Sequence, residues 1–290
     1  MNLESGGVRQ EAPIAVDALS AIEPLLVCPA CGSPLERRED ELVGVTCRHL
    51  YPVRDGVARL AVLGSSETWG TAAPASSRAY QDNYQQVQAA AGYNRGYDEK
   101  ASKRLSTRRE LALLASLLGT QGRSGRLLNL PCGGGRVSRP LAATTDLLIE
   151  ADIALGQVLY GAAQRDWTTP EVRMTASAFH IPLCDRAVDG VVCIRLCHHL
   201  PTQTERQRLL AELLRVADRF VVMTFFDFNS VKNVLRRVRP FDRKPPKLTM
   251  TTREVAGLAA ERGFALRRCP YLSFFGSGHR YALLVRQGAT

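Results

Sequence analysis

Residues 127–152 constrain the fold of this chain more tightly than any other stretch. An apolar strand, Leu127-Leu-Asn-Leu130, runs into Pro131-Cys132-Gly133-Gly134-Gly135-Arg136; after a helix, a second strand, Leu147-Leu-Ile-Glu-Ala151, ends at Asp152. Three consecutive glycines let the backbone pass close to a ligand, and the helix start that follows offers free N–H groups. An acid 17 residues beyond Gly135 can accept hydrogen bonds from ribose hydroxyls. Strand, glycine turn, helix, strand and terminal acid predict a nucleotide-binding βαβ unit, and so a doubly wound parallel sheet.

The rest of the chain from residue 101 continues that alternation. A capping box at Thr107–Glu110 predicts a helix over 111–118 closed by Gly119. A second box, Thr202–Glu205, opens a helix through Leu209, Leu210, Leu213 and Leu214, and Arg219–Phe225 reads as a fifth strand. A third box, Thr251–Glu254, starts a helix ending near Gly263; Phe264–Arg268 and Tyr281–Val285 then form an antiparallel edge. The expected architecture is α/β, a seven-stranded doubly wound sheet.

Four motifs in order give this sheet a closer likeness. They are the glycine turn, Thr175-Ala-Ser-Ala-Phe-His-Ile-Pro-Leu183, Val188-Asp189, and Cys197-His198-His199-Leu200. Together they resemble class I S-adenosylmethionine methyltransferases over roughly residues 105–225, most closely a broad bacterial group with an HHL motif. The resemblance implies S-adenosylmethionine as cofactor and a Rossmann-like methyltransferase domain over 105–290. It implies that Cys132, Gly133, Gly134 and Gly135 line the methionine end and that Asp152 holds the ribose, with Ile153 beside the adenine. Ser177, Ala178 and Phe179 then border the adenine, and Arg195 and Leu196 lie near the reacting sulfur. Asn129 stands where the family commonly has an acid in the first strand and keeps a hydrogen-bond acceptor there. Pro131 replaces the first motif glycine, and Ser177 replaces an acid. These departures leave a non-catalytic cofactor-binding protein as an alternative. His198 and His199 are the candidate acid/base residues, with a packed helix start as the alternative reading. No N-P-P-Y or D-P-P-Y segment is present, which disfavours methylation of an exocyclic base amine.

Ahead of this domain, residues 1–22 read as a mobile tail and residues 23–63 as a compact β module that needs a staple. Cys28-Pro-Ala-Cys31 supplies two thiolates in the geometry of a tetrahedral Zn²⁺ site, and Cys47 supplies a third from the next hairpin. With Pro29, Gly32, Tyr51, Pro52, Asp55 and Gly56, the segment resembles the zinc ribbons in front of some bacterial methyltransferases. That resemblance implies His49 as fourth ligand, although Cys47-x-His49 is tighter than the usual spacing; the alternative is a degenerate ribbon with surface cysteines. Residues 64–104 are a linker in which Tyr80, Tyr84, Tyr93 and Tyr97 cluster, to be read as a lid over the pocket or as ordinary packing. The later cysteines, Cys132, Cys184, Cys193, Cys197 and Cys269, are scattered and read as small buried hydrophobes of a reducing compartment.

Neither a membrane-spanning apolar run nor a signal-like start is visible, so a cytoplasmic location is expected. The net charge of +10 is confined to residues 101–126, at +5, and 227–290, at +9, which favours an anionic partner. Within residues 229–247, Val231, Val234, Leu235 and Val238 follow helical spacing while Lys232, Arg236, Arg237 and Arg239 take the other face. This predicts a basic amphipathic helix docked by its apolar stripe, its cations facing the acceptor or a membrane surface. The acceptor is expected to be a small-molecule, saccharide or lipid-linked compound. The alternative is RNA, by likeness to the zinc-ribbon rRNA guanine-N methyltransferases.

Overall fold

The computed structural model describes residues 16–61, 75–99, 101–238 and 249–288. Its core is a parallel sheet built by β5 (Ser124–Asn129), β6 (Thr145–Asp152), β7 (Glu171–Thr175), β8 (Val188–Cys193) and β9 (Ala217–Phe226). Two strands, β10 (Phe264–Arg268) and β11 (His279–Arg286), complete it, with β11 antiparallel to both β9 and β10. The order β7-β6-β5-β8-β9-β11-β10 reverses direction at β5, where open α/β sheets bind ligands. Leu127, Leu128, Ile149, Val191, Val192, Val221 and Val222 are buried, as expected of central parallel strands covered on both faces.

Helices α5 (Ser138–Ala142), α6 (Leu155–Ala163), α7 (Gln203–Val216) and α9 (Thr252–Ala260) supply the crossovers. Thr202–Glu205 and Thr251–Glu254 close reciprocal capping boxes at the starts of α7 and α9. The Thr107–Glu110 box does not form. Helix α4 begins at Ala101 and runs to Gly119, so Glu110 sits in its interior and is fully buried. The capping pattern is local, whereas Glu110 is drawn inward by cations of the sheet.

The N-terminal module does not stand apart. Strands β1 (Leu35–Arg38), β2 (Glu41–Gly44), β3 (Leu50–Arg54) and β4 (Val57–Arg59) form an antiparallel meander, and β4 then pairs in parallel with β7 through Val57, Ala58 and Arg59. The seven expected strands thus become the larger part of an eleven-stranded sheet. The tail also needs correction: residues 16–20 form a short helix, α1 (Val16–Ser20), and Ala18, Leu19 and Ile22 are buried in the shared core. Residues 1–15 lie outside the described residues.

The linker contains α2 (Ala75–Asn83) and α3 (Val87–Glu99), the latter packed against α4 and α6. Tyr84 contacts both Tyr80 and Tyr93, with ring centroids 4.8 and 5.2 Å apart. The Tyr97 side chain lies outside the described residues.

The basic helix is present as α8 (Val231–Val238), but Val234 and Leu235 of its apolar stripe do not dock as expected. Ser230 and Asn233 face the protein, Asn233 donating to the Asp227 carbonyl at 2.6 Å, while Val234 and Leu235 are exposed. A short polar side chain that pairs with buried backbone outcompetes an aliphatic one for that contact. Arg239 and residues 240–248 lie outside the described residues.

Candidate active site and metal centre

The carboxyl ends of β5, β6, β7 and β8 surround one cavity. Its floor is the glycine turn, entered through a cis Leu130–Pro131 peptide. Gly133 and Gly135 take positive φ, 53° and 82°, which a side chain would strain. A Cβ on Gly134 would collide with the Asn94 amide of α3, so that helix can approach only a glycine. Asp152 ties this turn to β6: its Oδ2 accepts the Gly133 N–H at 2.9 Å and its Oδ1 the Ala154 N–H at 3.0 Å. Burial pushes the Asp152 carboxyl up to about 6, and the backbone N–H groups oppose that rise.

Most of the residues singled out in the sequence meet here. Cys132, Gly133, Gly134, Asp152, Ile153, Ser177, Ala178, Phe179, Arg195, Leu196 and His199 all line the cavity. Ser177, in the place of an acid, accepts the Phe179 N–H at 3.2 Å and so shapes the turn that presents Ala178 and Phe179. Three residues do not line it. Asn129 is fully buried behind the turn and donates to Glu150 at 2.9 Å. Gly135 packs beneath it, where a Cβ would meet Gly161 at 3.5 Å. The His198 ring lies against Phe226 and His279, at 4.7 and 5.0 Å between centroids, with His199 at 4.1 Å.

The linker tyrosines Tyr80 and Tyr93 reach the site, as the lid reading expects, while Asn94 and Glu110 enter it without having been anticipated. Tyr80, Tyr93 and Asn94 line the cavity from α2 and α3, and Asn94 is held by the Gln157 side chain at 3.0 Å and the Ala90 carbonyl at 2.9 Å. Glu110 bonds Arg136, Tyr281 and Arg195, the last at 3.0 Å. Burial opposes the Glu110 charge, but Arg136 and Arg195 outweigh it and hold the carboxyl below its ordinary range. Arg195 needs that anchor. Its backbone is left-handed, with φ 63°, and its N–H donates to Thr224 Oγ1 at 2.6 Å. The only sequence trace of Glu110 was a capping pattern, and His279 had none.

In the N-terminal module the Sγ atoms of Cys28, Cys31 and Cys47 lie within 4.8 Å of one another, with Cys28 and Cys47 3.4 Å apart. That spacing suits three thiolates of one tetrahedral ion, whose S–S edges are about 3.8 Å when each metal–sulfur bond is about 2.3 Å. A Cβ on Gly44 would reach Cys47 Sγ at 2.7 Å, so this glycine keeps the cradle open. The Ser33 hydroxyl draws the Cys31 thiol down to about 6, while burial pushes Cys47 up to about 11. His49 is not part of the cluster: it is exposed and its ring lies 6.5 Å from that of Tyr51. The hydroxyl of Tyr51 is hydrogen-bonded to Cys28 Sγ at 3.2 Å.

Comparison with known proteins agrees with this architecture. Residues 128–219 match the methyltransferase domain family, and residues 24–56 match the Trm112p-like protein family. Residues 128–219 thus carry a methyltransferase domain, and the sheet around them has the Rossmann-like fold of such enzymes. In front of that domain the chain carries a Trm112p-like, zinc-ribbon-like module with a three-cysteine cluster. No curated protein matches the chain. Among solved structures it is similar to the magnesium protoporphyrin IX methyltransferase of Synechocystis with bound S-adenosylhomocysteine, at 17% identity and a TM-score of 0.60, covering 72% of this chain and 99% of that one. The N-methyltransferase NodS of Bradyrhizobium japonicum, in complex with S-adenosylhomocysteine, is similar at 11% identity, TM-score 0.54, covering 74% and 100%. A chain of the complex between the Haloferax volcanii Trm112 methyltransferase activator and a methyltransferase gives 14% identity, TM-score 0.51, covering 69% and 96%. At these identities the likeness is one of fold.

Proposed function

We propose that the cavity binds S-adenosylmethionine with Asp152 on the ribose hydroxyls, Ile153, Ala178 and Phe179 around the adenine, and Cys132–Gly134 beside the methionine end. Arg195 and Leu196 border the sulfonium. The observation that carries this reading is the convergence of Asp152, the glycine turn and the Ser177–Phe179 turn on one cavity at the switch point of the sheet. Helices α2 and α3 act as a lid, with Tyr80, Tyr93 and Asn94 forming part of the cavity wall. The cofactor supplies an electrophilic methyl group on a sulfonium. The protein aligns the acceptor nucleophile in line with it and excludes water. His199, on the cavity wall, is placed to take the proton that the acceptor loses; His198 orients it from behind.

The acceptor is an anionic small-molecule, saccharide or lipid-linked compound, as in the bacterial HHL group. The two solved neighbours named as a porphyrin methyltransferase and an N-methyltransferase support a small-molecule class. A metabolite and RNA comparison between a deletion strain and its parent, seeking the missing methyl increment, tests this. A loss confined to rRNA would establish the guanine-N alternative instead.

The Trm112p-like module is proposed to hold Zn²⁺ through Cys28, Cys31 and Cys47 and to support the methyltransferase domain from within the same chain. Besides the β4–β7 pairing, Val27 donates to Pro182, Cys184 to Leu25 and Leu60 to Thr175, at 3.2, 2.8 and 3.1 Å. These bonds brace the segment that carries Ser177–Phe179.

A further inference from the structure

The three cysteines of the N-terminal module sit on two turns that repeat one backbone shape. In the first, Cys28-Pro-Ala-Cys31-Gly32, the Gly32 N–H donates to the Cys28 carbonyl at 2.7 Å and Gly32 has φ 69°. In the second, Gly44-Val-Thr-Cys47-Arg48, the Arg48 N–H donates to the Gly44 carbonyl at 2.8 Å and Arg48 has φ 60°. A left-handed backbone is costly for an arginine, so the second turn holds this shape even without the glycine that would ease it. Position for position, Cys47 corresponds to Cys31 and Gly44 corresponds to Cys28.

Gly44 also faces the sulfur cluster. A Cβ on it would lie 2.7 Å from Cys47 Sγ and 3.1 Å from Cys28 Sγ, so the direction of its missing side chain is toward both. Among the described residues no further His, Cys, Asp or Glu joins the three sulfurs. Two hydroxyls attend them instead: Tyr51 Oη lies 3.2 Å from Cys28 Sγ and Ser33 Oγ 3.1 Å from Cys31 Sγ. Ser33 Oγ also accepts the Thr46 N–H at 3.3 Å, which ties the first turn to the second. Hydroxyls that donate to thiolates disperse their charge and orient them, as the outer partners of a metal site do.

We propose, resting on the Zn²⁺ binding put forward above, that Gly44 stands at the fourth-ligand position of this site. Cys28, Cys31 and Cys47 then hold the ion, and its fourth donor comes from outside the chain, a small thiolate in preference to water. Zinc with three protein ligands keeps one position exchangeable, whereas four ligands from the chain close the site. A thiolate matches the softness of the other three donors and supplies the carbon–sulfur group that a glycine lacks. As it binds, the incoming thiol gives its proton to solvent and displaces water from the ion. Cys28 is buried but Cys31 and Cys47 are partly exposed, so an external donor can approach from their side. His49 does not compete for the position, since it is exposed and lies outside the sulfur cluster.

Cobalt(II) substituted into the full chain tests the proposal, because its charge-transfer absorption grows with the number of bound thiolates. The parent should show three thiolates per ion. Adding β-mercaptoethanol should raise the intensity by about one third, three thiolates becoming four, while the cobalt content of the protein stays constant. Gly44→Cys should show the four-thiolate spectrum without added thiol, respond no further to it, and hold Zn²⁺ at least about tenfold more tightly than the parent. His49→Ala should reproduce the parent in both spectrum and thiol response. If Gly44→Cys fails to fold, the thiol titration of the parent decides alone. A parent spectrum that already has four thiolates, that does not respond to thiol, or that His49→Ala alters overturns the proposal while leaving the zinc site standing. A parent that binds neither Co²⁺ nor Zn²⁺ overturns both.

Discussion

Asn129 at the end of β5 donates its side-chain amide to Glu150 on β6 at 2.9 Å, so the buried carboxylate behind the glycine turn belongs to the second strand and not the first. Burial pushes Glu150 up to about 7, opposed by Ser138, Arg173 and the amide of Asn129. Restoring an acid with Asn129→Asp would set two carboxyl groups in one dry site. The variant should lose about 2–4 kcal/mol of stability near neutral pH. The native pair would then hold a proton that the unfolded chain releases, so the loss should grow as the pH rises above the ordinary carboxylate range of about 4. Denaturant melts at pH 5 and pH 8 measure it; a loss that is larger at pH 5 contradicts the arrangement.

Glu110→Gln should cost about 2–4 kcal/mol, because Arg136 and Arg195 would keep their charges beside the cavity with their shared anion gone. The native Glu110 carboxyl is held below its ordinary range, so its contribution is present above the unfolded value near 4.5 and fades as the pH falls below that. The gap between parent and variant should therefore narrow in acid. Cofactor affinity should fall with it, since Arg195 loses the anchor of its left-handed backbone.

Metal analysis of the purified protein should return one Zn²⁺ per chain. Cys28→Ser or Cys47→Ser should release it and lower the melting temperature, whereas His49→Ala should leave the metal content unchanged because His49 lies outside the sulfur cluster. Zinc lost from His49→Ala and retained in Cys47→Ser would reverse the ligand assignment. Chelation should also weaken cofactor binding through the bonds from Leu25, Val27 and Leu60 to the 175–184 segment.

The fold was legible wherever one local pattern sufficed. The glycine turn, the β6 terminal acid and the Thr202 and Thr251 capping boxes are set by neighbours within a few residues, and each appears where the pattern places it. What failed depends on distant partners. Thr107–Glu110 has the spacing of a cap, but Arg136 and Arg195 claim the acid. The stripe of α8 has the periodicity of a buried face, but the Asp227 carbonyl selects Asn233. Periodicity reports that a helix has two faces and not which one docks. Of the site, the strand-end residues could be read directly, while Asn94, Tyr281 and His279 arrive from elements whose approach only the assembled sheet decides.

Cofactor affinity should follow the ionisation of Asp152. Ribose hydroxyls bond a carboxylate better than a carboxylic acid, so the dissociation constant for S-adenosylhomocysteine should rise as the pH falls through about 6 and level off above it. Binding that is flat from pH 5 to pH 8 would show that this carboxyl does not contact the ligand in its charged form.

Calorimetric titration of S-adenosylhomocysteine into the parent and into Asp152→Ala tests the central claim most directly. Loss of a charged acceptor for the ribose should weaken binding by about 1.5–3 kcal/mol, roughly 10- to 150-fold. Unchanged affinity in Asp152→Ala, or no binding by the parent protein, would contradict the assignment of this cavity to the cofactor.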